Sequence, residues 1–580
     1  MSLKNKIDEA ASAAFVAVGL SQDTPVRLQW SSRPEFGDLQ INGVMGAAKK
    51  LKQNPRELAQ KILDCLKLEG LVDKTEIAGP GFINLHLSKS ALSTAVEQIL
   101  GESKFGLTAP EKAQKVVVDY SSPNLAKEMH VGHLRGTILG DAVCRVLEFK
   151  GHEVIRQNHI GDWGTQFGML IAELQQSHSP EQLEAGIALS DLEVFYRQAK
   201  MHFDADSEFA DLARNNVVKL QAGDPQCLAL WQQFIDESLK HADQNYQKLG
   251  VSLTRENVYG ESAYNEDLEP LVKELLACGI AQEDQGATLV YLDELANKEG
   301  EPSVVIVQKA DGGYLYATSD LAAIRYRIAK LKADRCLYFI DFRQGLHMKQ
   351  VFTIGRKAGW VPEQVQLEHC AYGTIMGEDG KPFKTRSGDT VKLADLLDEA
   401  IERATKLIAE KAPNLDEQER QEIAKAVGIG AVKYADLSKV RTTDYRFNWD
   451  SMLSFEGNTA PYLQYAGTRI HSLFEKAGES LYEYSAHIEV LEPAEWTLAV
   501  CLLKFSEVLD QVVDTAMPHE LCSYLYELSG NFATFYEACP VLKSEVTPAQ
   551  RSSRLALAAL TGKTLEVGLN LLGIDSLKRM

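Results

Sequence analysis

The sequence predicts three kinds of unit in series: α+β, then parallel α/β with a helical insertion, then all-α. Three observations carry that reading. Helical periodicity and strand alternation are mixed in the first hundred residues. A strand, a loop, a helix and a second strand follow one another between residues 116 and 161. From about residue 392 onward, almost only helical patterns remain.

In chain order, helical periodicity runs through 1–18 and 42–66, and Ile83, Leu85 and Leu87 alternate with polar neighbours in a strand over 77–88. GESKFGLTAPEKAQK (101–115) mixes Gly, Pro and charge, which marks a boundary near residue 108. VVVDYSS (116–122) reads as a strand, about 130–149 as a helix and HEVIRQNHIG (152–161) as the next strand, which makes a βαβ unit. A polar-rich helical insertion occupies about 170–260. Strand signals return at 288–292, 303–308, 336–340 and 368–376, with helices at 319–332 and 347–358. Beyond residue 395, turns at 412–418, 456–461 and 491–495 divide the helical remainder into a connecting region, 396–455, and a final unit, 456–580.

Composition narrows the function classes. The 580 residues are 45% hydrophobic and 24% charged, with no apolar run near the ~20 residues a membrane span needs. The N-terminus lacks the apolar core of a signal peptide. Nine cysteines lie singly with no CxxC pair, which argues against zinc and disulfides and for a reducing compartment, so the expected location is cytoplasmic. With a net charge of −20, nucleic-acid binding would require local basic patches and base stacking.

The stretch SSPNLAKEMHVGHLRG (121–136) lies where a parallel sheet binds its ligands, beyond a strand and at a helix start. His130 and His133 share a face, Gly132 admits a flat ring or phosphate, and Lys127 adds a mobile cation. Exposed N–H groups at such a start favour an anion, and the set suits a nucleoside triphosphate attacked at its α-phosphate. A lone histidine there is more often a cap. Zinc is disfavoured because a third ligand and HExxH spacing are missing.

HVGH resembles the HIGH signature of class I aminoacyl-tRNA synthetases, and DYSSPNLAKEMHVGHLRGTILGD resembles its arginyl-tRNA synthetase form. So do NHIGDWGTQFGML (158–170), DLEVFYRQAK (191–200), YLYATSDLAAIRYR (314–327), FEGNTAPYLQYAGTRI (455–470) and the terminal GLNLLGIDSLKRM. The resemblance implies an N-terminal additional domain (1–108) touching the tRNA elbow and a Rossmann-like catalytic domain (109–395). It further implies a stem-contact region (396–455) and an all-α anticodon-binding domain (456–580). The implied partners are L-arginine, ATP with Mg²⁺ and tRNA(Arg), with no membrane, no metal held by the protein and a monomeric chain. The alternatives are another HIGH-motif synthetase or a non-catalytic tRNA-binding paralogue. The lack of zinc cysteines speaks against a cysteinyl enzyme, the pocket carboxylates against a glutamyl one, and the intact HVGH region against lost chemistry.

Carried over residue by residue, the HIGH region comprises Pro123, Asn124, Lys127, His130, Val131, Gly132 and His133, and the arginine contacts are Asp119, Asn124, His133, Tyr316, Asp320 and Gln344. A guanidinium calls for planar carboxylate acceptors. Asp119 follows three valines, where a carboxylate is costly unless paired. Asp320 follows Thr318 and Ser319 as cap candidates, so the macrodipole of a first helical turn would favour it even without a ligand. The expectation is that Asp119 and Asp320 together read the guanidinium and reject a citrulline-like analogue by roughly 10⁴–10⁵. The second class I signature, KMSKS, is absent; Lys384 and Arg386 occupy the corresponding loop and are expected to share the phosphates with Lys127 and Mg²⁺. Trp163, in a Gly-rich loop, is expected to wall the pocket.

The segment 461–580 holds nine Lys and Arg against fifteen Asp and Glu, so RNA binding there calls for stacking rather than a positive field. By resemblance, Tyr465, Arg469 and the terminal Met580 are the expected contacts. Lys49 and Lys50, with Lys52, are expected at the tRNA elbow, although lysines on a helix are more often a solvated face.

Overall fold

Strands β1 (Leu28–Trp30), β2 (Leu39–Ile41), β3 (Val72–Ala78) and β4 (Phe82–Leu87) form an antiparallel sheet in the order β1-β2-β4-β3. Ile83 and Leu85 face Ile41 and Leu39 across it, all fully buried, which explains their alternation. The computed structural model describes residues 2–31, 33–107, 109–125, 128–178, 192–384 and 391–580. Two elements read as continuous are each broken. Gly79 and Gly81, at φ 52° and 144°, turn the chain between β3 and β4, so 77–88 is a hairpin. The periodicity over 42–66 is two helices, Val44–Leu51 and Pro55–Cys65. Lys52 ends the first in a left-handed conformation, and the Asn54 side chain caps the second at Arg56 N.

The second unit supplies β5 (Lys115–Asp119), the helix Leu134–Lys150 and β6 (Glu153–Gln157). Its insertion contains the helices Thr165–Ser177, Leu192–Ala205, Ser207–Gln221 and Pro225–Leu249, packed on Phe167, Leu170, Phe209 and Phe234. Strands β7 (Ala281–Asp284), β8 (Ala287–Leu292) and β9 (Ser303–Gln308) make a separate antiparallel sheet, so two of the strand signals do not belong to the parallel one. β10 (Arg335–Tyr338) and β11 (Gln366–His369) complete a parallel sheet in the order β11-β10-β5-β6. The segment 368–376 divides between β11 and β12 (Ile375–Met376), which pairs with β13 (Tyr445–Arg446). Strand order reverses between β5 and β10, and that reversal opens a crevice beyond their carboxyl ends.

The rest is helical. The helix Leu134–Lys150 is buried around most of its circumference between the sheet and these helices, and its Arg135, 1% exposed, pairs with the wholly buried Asp436 at 3.0 Å. The helix bearing Asp436, Glu417–Leu437, thus locks the last units to the HVGH side of the sheet. The N-terminal unit docks on the C-terminal helices: Trp30 donates to Glu507 (2.9 Å), Trp496 to Asp38 (2.7 Å) and Val490 N to Ser93 (3.1 Å). The chain therefore forms an N-terminal α+β unit, a parallel α/β unit with a helical insertion and an all-helical C-terminal unit. Among the described residues, no helix is long and apolar enough to cross a membrane.

Candidate active site

After β5 the chain turns sharply. Ser121 and Ser122 adopt φ 71° and 46°, a left-handed conformation that costs a non-glycine residue about 1–3 kcal/mol. Side chains hold it: Ser122 N donates to Asn158 Oδ1 (3.0 Å), Ser122 Oγ to Asp119 (2.8 Å), and Ser121 Oγ lies 2.7 Å from the Tyr246 hydroxyl. The loop is then zipped to the one after β6, with Gly161 N bonded to Pro123 O and Leu125 N to Gly161 O. A Cβ at 161 would lie 2.0 Å from Asn124 Oδ1, so any residue other than glycine would push that side chain aside.

HVGH forms a 3-10 turn, residues 131–133, before the main helix begins at Leu134. Its N–H groups are not open to an anion, contrary to the sequence reading. His130 N donates to His133 Nδ1 (3.1 Å), Gly132 N to His130 Nδ1 (3.0 Å), Val131 N to Val391 O (3.0 Å) and His133 N to His130 O (2.8 Å). This reciprocal capping has a chemical result. The His133 Nδ1 accepts, so in its neutral ring the proton sits on Nε2 and that nitrogen is a donor. Burial and the neighbouring His130 push the His133 pKa down to about 3, keeping that ring neutral. The ring centroids are 4.0 Å apart. Leu393 N also bonds Met129 O, so the backbone around HVGH is pinned to the chain just beyond the loop that stands for KMSKS. Lys384 lies exposed at the near end of that loop; Lys127 and Arg386 lie outside the described residues.

The crevice differs from expectation at Asp119. Its carboxylate is buried and committed within the chain, with Oδ2 2.7 Å from Arg327 Nη2 and Oδ1 accepting from Ser122. Arg327, 1% exposed, also donates to Gln157 (2.6 Å). Asp119 therefore neutralises a buried arginine of this chain rather than standing open to a ligand's guanidinium. Asp320 is more accessible, but Thr318 and Ser319 do not cap its helix. Tyr316–Ala329 starts after Leu315, Thr318 bonds Val307 O, and Asp320 sits past the first turn, where the macrodipole explains it less well. Around Asp320 stand groups that the sequence reading missed. His347 Nε2 is 2.6 Å from Oδ2, and His159 Nε2 is 3.6 Å from Oδ1. Glu261, whose N donates to Ile160 O, has its pKa pushed up to about 8 by burial, Asp320 and Asp162. Tyr316 is 61% exposed with its ring 4.9 Å from His347, and Gln344 is exposed at the start of the helix Gly345–Lys357. Trp163, partly buried, packs on Trp231 against the insertion core.

At the far end, Tyr465, Arg469 and Met580 do come together, in a concavity of about 520 Å³ with Lys476, Lys578 and Arg579. The Arg469 guanidinium lies 5.0 Å from the Tyr536 ring. This pocket is locally basic in an acidic domain. Lys49 and Lys50 are exposed in the last turn of their helix, where they also suit its macrodipole. Among the described residues, no group of three or more His, Cys, Asp or Glu is placed to hold a metal.

Comparison with known proteins gives the same division. Residues 95–449 match the family described as tRNA synthetases class I (R), catalytic domain, 463–580 the DALR anticodon binding domain, and 1–87 the arginyl tRNA synthetase N terminal domain. The chain is 59% identical over 578 residues to an arginine–tRNA ligase of Alteromonas mediterranea (100% of this chain, 99% of the other). It is 57% identical over 581 residues, covering both chains fully, to the enzyme so named in Saccharophagus degradans. Crystal structures of arginyl-tRNA synthetases from Plasmodium falciparum (TM-score 0.84, 28% identity, 100% and 99% covered) and Thermus thermophilus (0.81, 25%, fully covered) share its fold. With HVGH in place at the switch point of a parallel sheet and likeness along its whole length, the chain belongs to the arginyl-tRNA synthetase family of class I.

Proposed function

We infer that this chain is an arginine–tRNA ligase. The arginine carboxylate attacks the α-phosphorus of ATP, and the bond to the departing pyrophosphate breaks, leaving arginyl-adenylate. A hydroxyl of the terminal adenosine of tRNA(Arg), the 2′ one by class I behaviour, then attacks the carbonyl, and AMP leaves with its phosphate taking up the hydroxyl proton.

The observation that carries the reading is the reciprocal histidine capping in HVGH. It leaves His133 a neutral Nε2–H donor beside the crevice, which would serve where phosphate charge grows in the transition state. Lys384, with Lys127 and Arg386, would supply the cations. Catalysis is then positioning and charge neutralisation, with no general base required. Imidazoles and ammonium groups suit phosphate oxygens rather than a hard cation, so Mg²⁺ would arrive on the triphosphate and neutralise it. Asn124, His133, Tyr316, Asp320 and Gln344 would hold arginine, Asp320 meeting the guanidinium, while Asp119 acts through Arg327. Tyr465, Arg469 and Met580 would meet the anticodon loop, and Lys49 and Lys50 the tRNA elbow. We assign the limits 1–108, 109–395, 396–455 and 456–580 to the additional, catalytic, connecting and anticodon-binding regions, and read the chain as a cytoplasmic monomer.

Charging of total tRNA, run with each amino acid separately, tests the activity. Arginine-dependent charging alone is expected; charging with another amino acid, or none with arginine, would overturn it.

A further inference from the structure

We infer that His347 and His159 are positioning residues that tune Asp320 for a guanidinium, and that a proton taken up by either imidazole displaces arginine from that carboxylate. This rests on the assignment of Asp320 to the arginine side chain.

The two histidines bracket the carboxylate from different elements. His347, on the helix Gly345–Lys357 that follows β10, meets Oδ2 at 2.6 Å; His159, in the segment after β6, stands 3.6 Å from Oδ1. Each ring lies beside an aromatic neighbour, His347 by Tyr316 (4.9 Å) and His159 by Tyr264 (5.6 Å). His159 is the stranger of the pair. Its side chain is 11% exposed, yet neither ring nitrogen has a hydrogen-bond partner among the described residues. An unsatisfied buried polar group costs about 1–3 kcal/mol, and here that cost is sustained beside a carboxylate that a substrate cation is to occupy.

The chemistry follows from charge. A neutral His347 donates one hydrogen bond to Asp320, which holds the carboxylate in place and leaves it anionic. A protonated imidazole becomes an ion-pair partner at the same oxygens, so imidazolium and guanidinium compete for one site. The other groups facing Asp320 do not supply a substitute charge. Tyr316, on its own helix, is a phenol. Asp119, on β5, is matched by Arg327. Glu261, from the turn Glu261–Tyr264, has its pKa pushed up to about 8 by burial, Asp320 and Asp162, so it is largely protonated at neutral pH. Asp162, in the segment after β6, accepts from Ser262 N and Oγ and is itself raised by burial. Asp320 is thus the carboxylate that the histidines cover and the substrate must capture. Protonation of Glu261 and of the histidines both weaken arginine binding as pH falls, so the histidine share has to be isolated by substitution.

The test measures the arginine KM in pyrophosphate exchange, with tRNA present, between about pH 5.5 and 8, where imidazoles change charge. In the parent enzyme, KM should rise as pH falls, by up to about tenfold per pH unit for each imidazole that gains a proton. H347Q keeps an N–H donor for Asp320 but takes up no proton. It should hold KM close to the parent value at pH 8 and flatten the acid rise, and adding H159N should flatten it further. H347A, which loses the donor as well, should raise KM at every pH, a split that a merely structural role would not produce. If the double variant's KM climbs in acid as steeply as the parent's, the inference is overturned. If D320N leaves the arginine KM unchanged, the arginine assignment fails instead.

Discussion

Exchanging each of the two crevice carboxylates for asparagine separates a ligand-reading role from a structural one. Asp320 can offer a guanidinium two charge-assisted hydrogen bonds, each worth about 1.5–3 kcal/mol. Asparagine keeps one acceptor and turns an amide donor toward a group that consists of donors. The expected loss in D320N is therefore about 3–6 kcal/mol, or about 10²–10⁴ in kcat/KM for arginine. Asp119 predicts the opposite signature. D119N strands Arg327, 1% exposed, with Gln157 as its remaining side-chain acceptor. Breaking a buried pair in this way costs about 3–5 kcal/mol of stability. Thermal unfolding and pyrophosphate exchange, measured on both variants, decide between the roles. D119N should lower the unfolding midpoint while the folded fraction keeps its arginine KM, and D320N should do the reverse. A D119N protein of parental stability with an arginine KM raised as far as that of D320N would refute the reasoning.

Other consequences are open to measurement. H133N removes one Nε2–H donor from the crevice and should cut kcat by about 10²–10³; an unchanged kcat would contradict the tautomer argument. Because the Glu261 pKa is raised to about 8 in the folded chain, the native state holds its proton more tightly than the unfolded state, and stability is lost as pH rises from the ordinary carboxylate range through 8. E261Q should accordingly melt higher than the parent at pH 9 but not at pH 4, and added arginine should narrow the gap. Y465A should raise the tRNA KM by an amount equal to about 1–3 kcal/mol of lost stacking, leaving tRNA-saturated kcat intact.

Local signals in the chain were enough for part of this account. The run Val116–Val118 followed by a polar turn and HVGH marks a ligand-binding strand end, since that pattern is written in consecutive residues. The same holds for the helical C-terminal half. What stayed hidden depends on long-range closure. Arg327 reaches Asp119 across 208 residues, and His159 and His347 meet at Asp320 from opposite sides of the β7–β9 sheet in sequence. No spacing rule encodes those meetings. The N–H groups of HVGH looked available because the capping histidines and the Val391 carbonyl that use them are visible only in three dimensions. The break at Asn54–Pro55, by contrast, was legible in the residues, but the surrounding apolar periodicity ran straight through it.

The central claim is that one partly open carboxylate, Asp320, reads the charge of the substrate side chain. Competition by citrulline, which keeps the shape of arginine without its cation, probes this directly in pyrophosphate exchange. The account predicts that the parent enzyme favours arginine by about 10⁴ or more and that D320N loses most of that preference. Equal discrimination in the two proteins would contradict it.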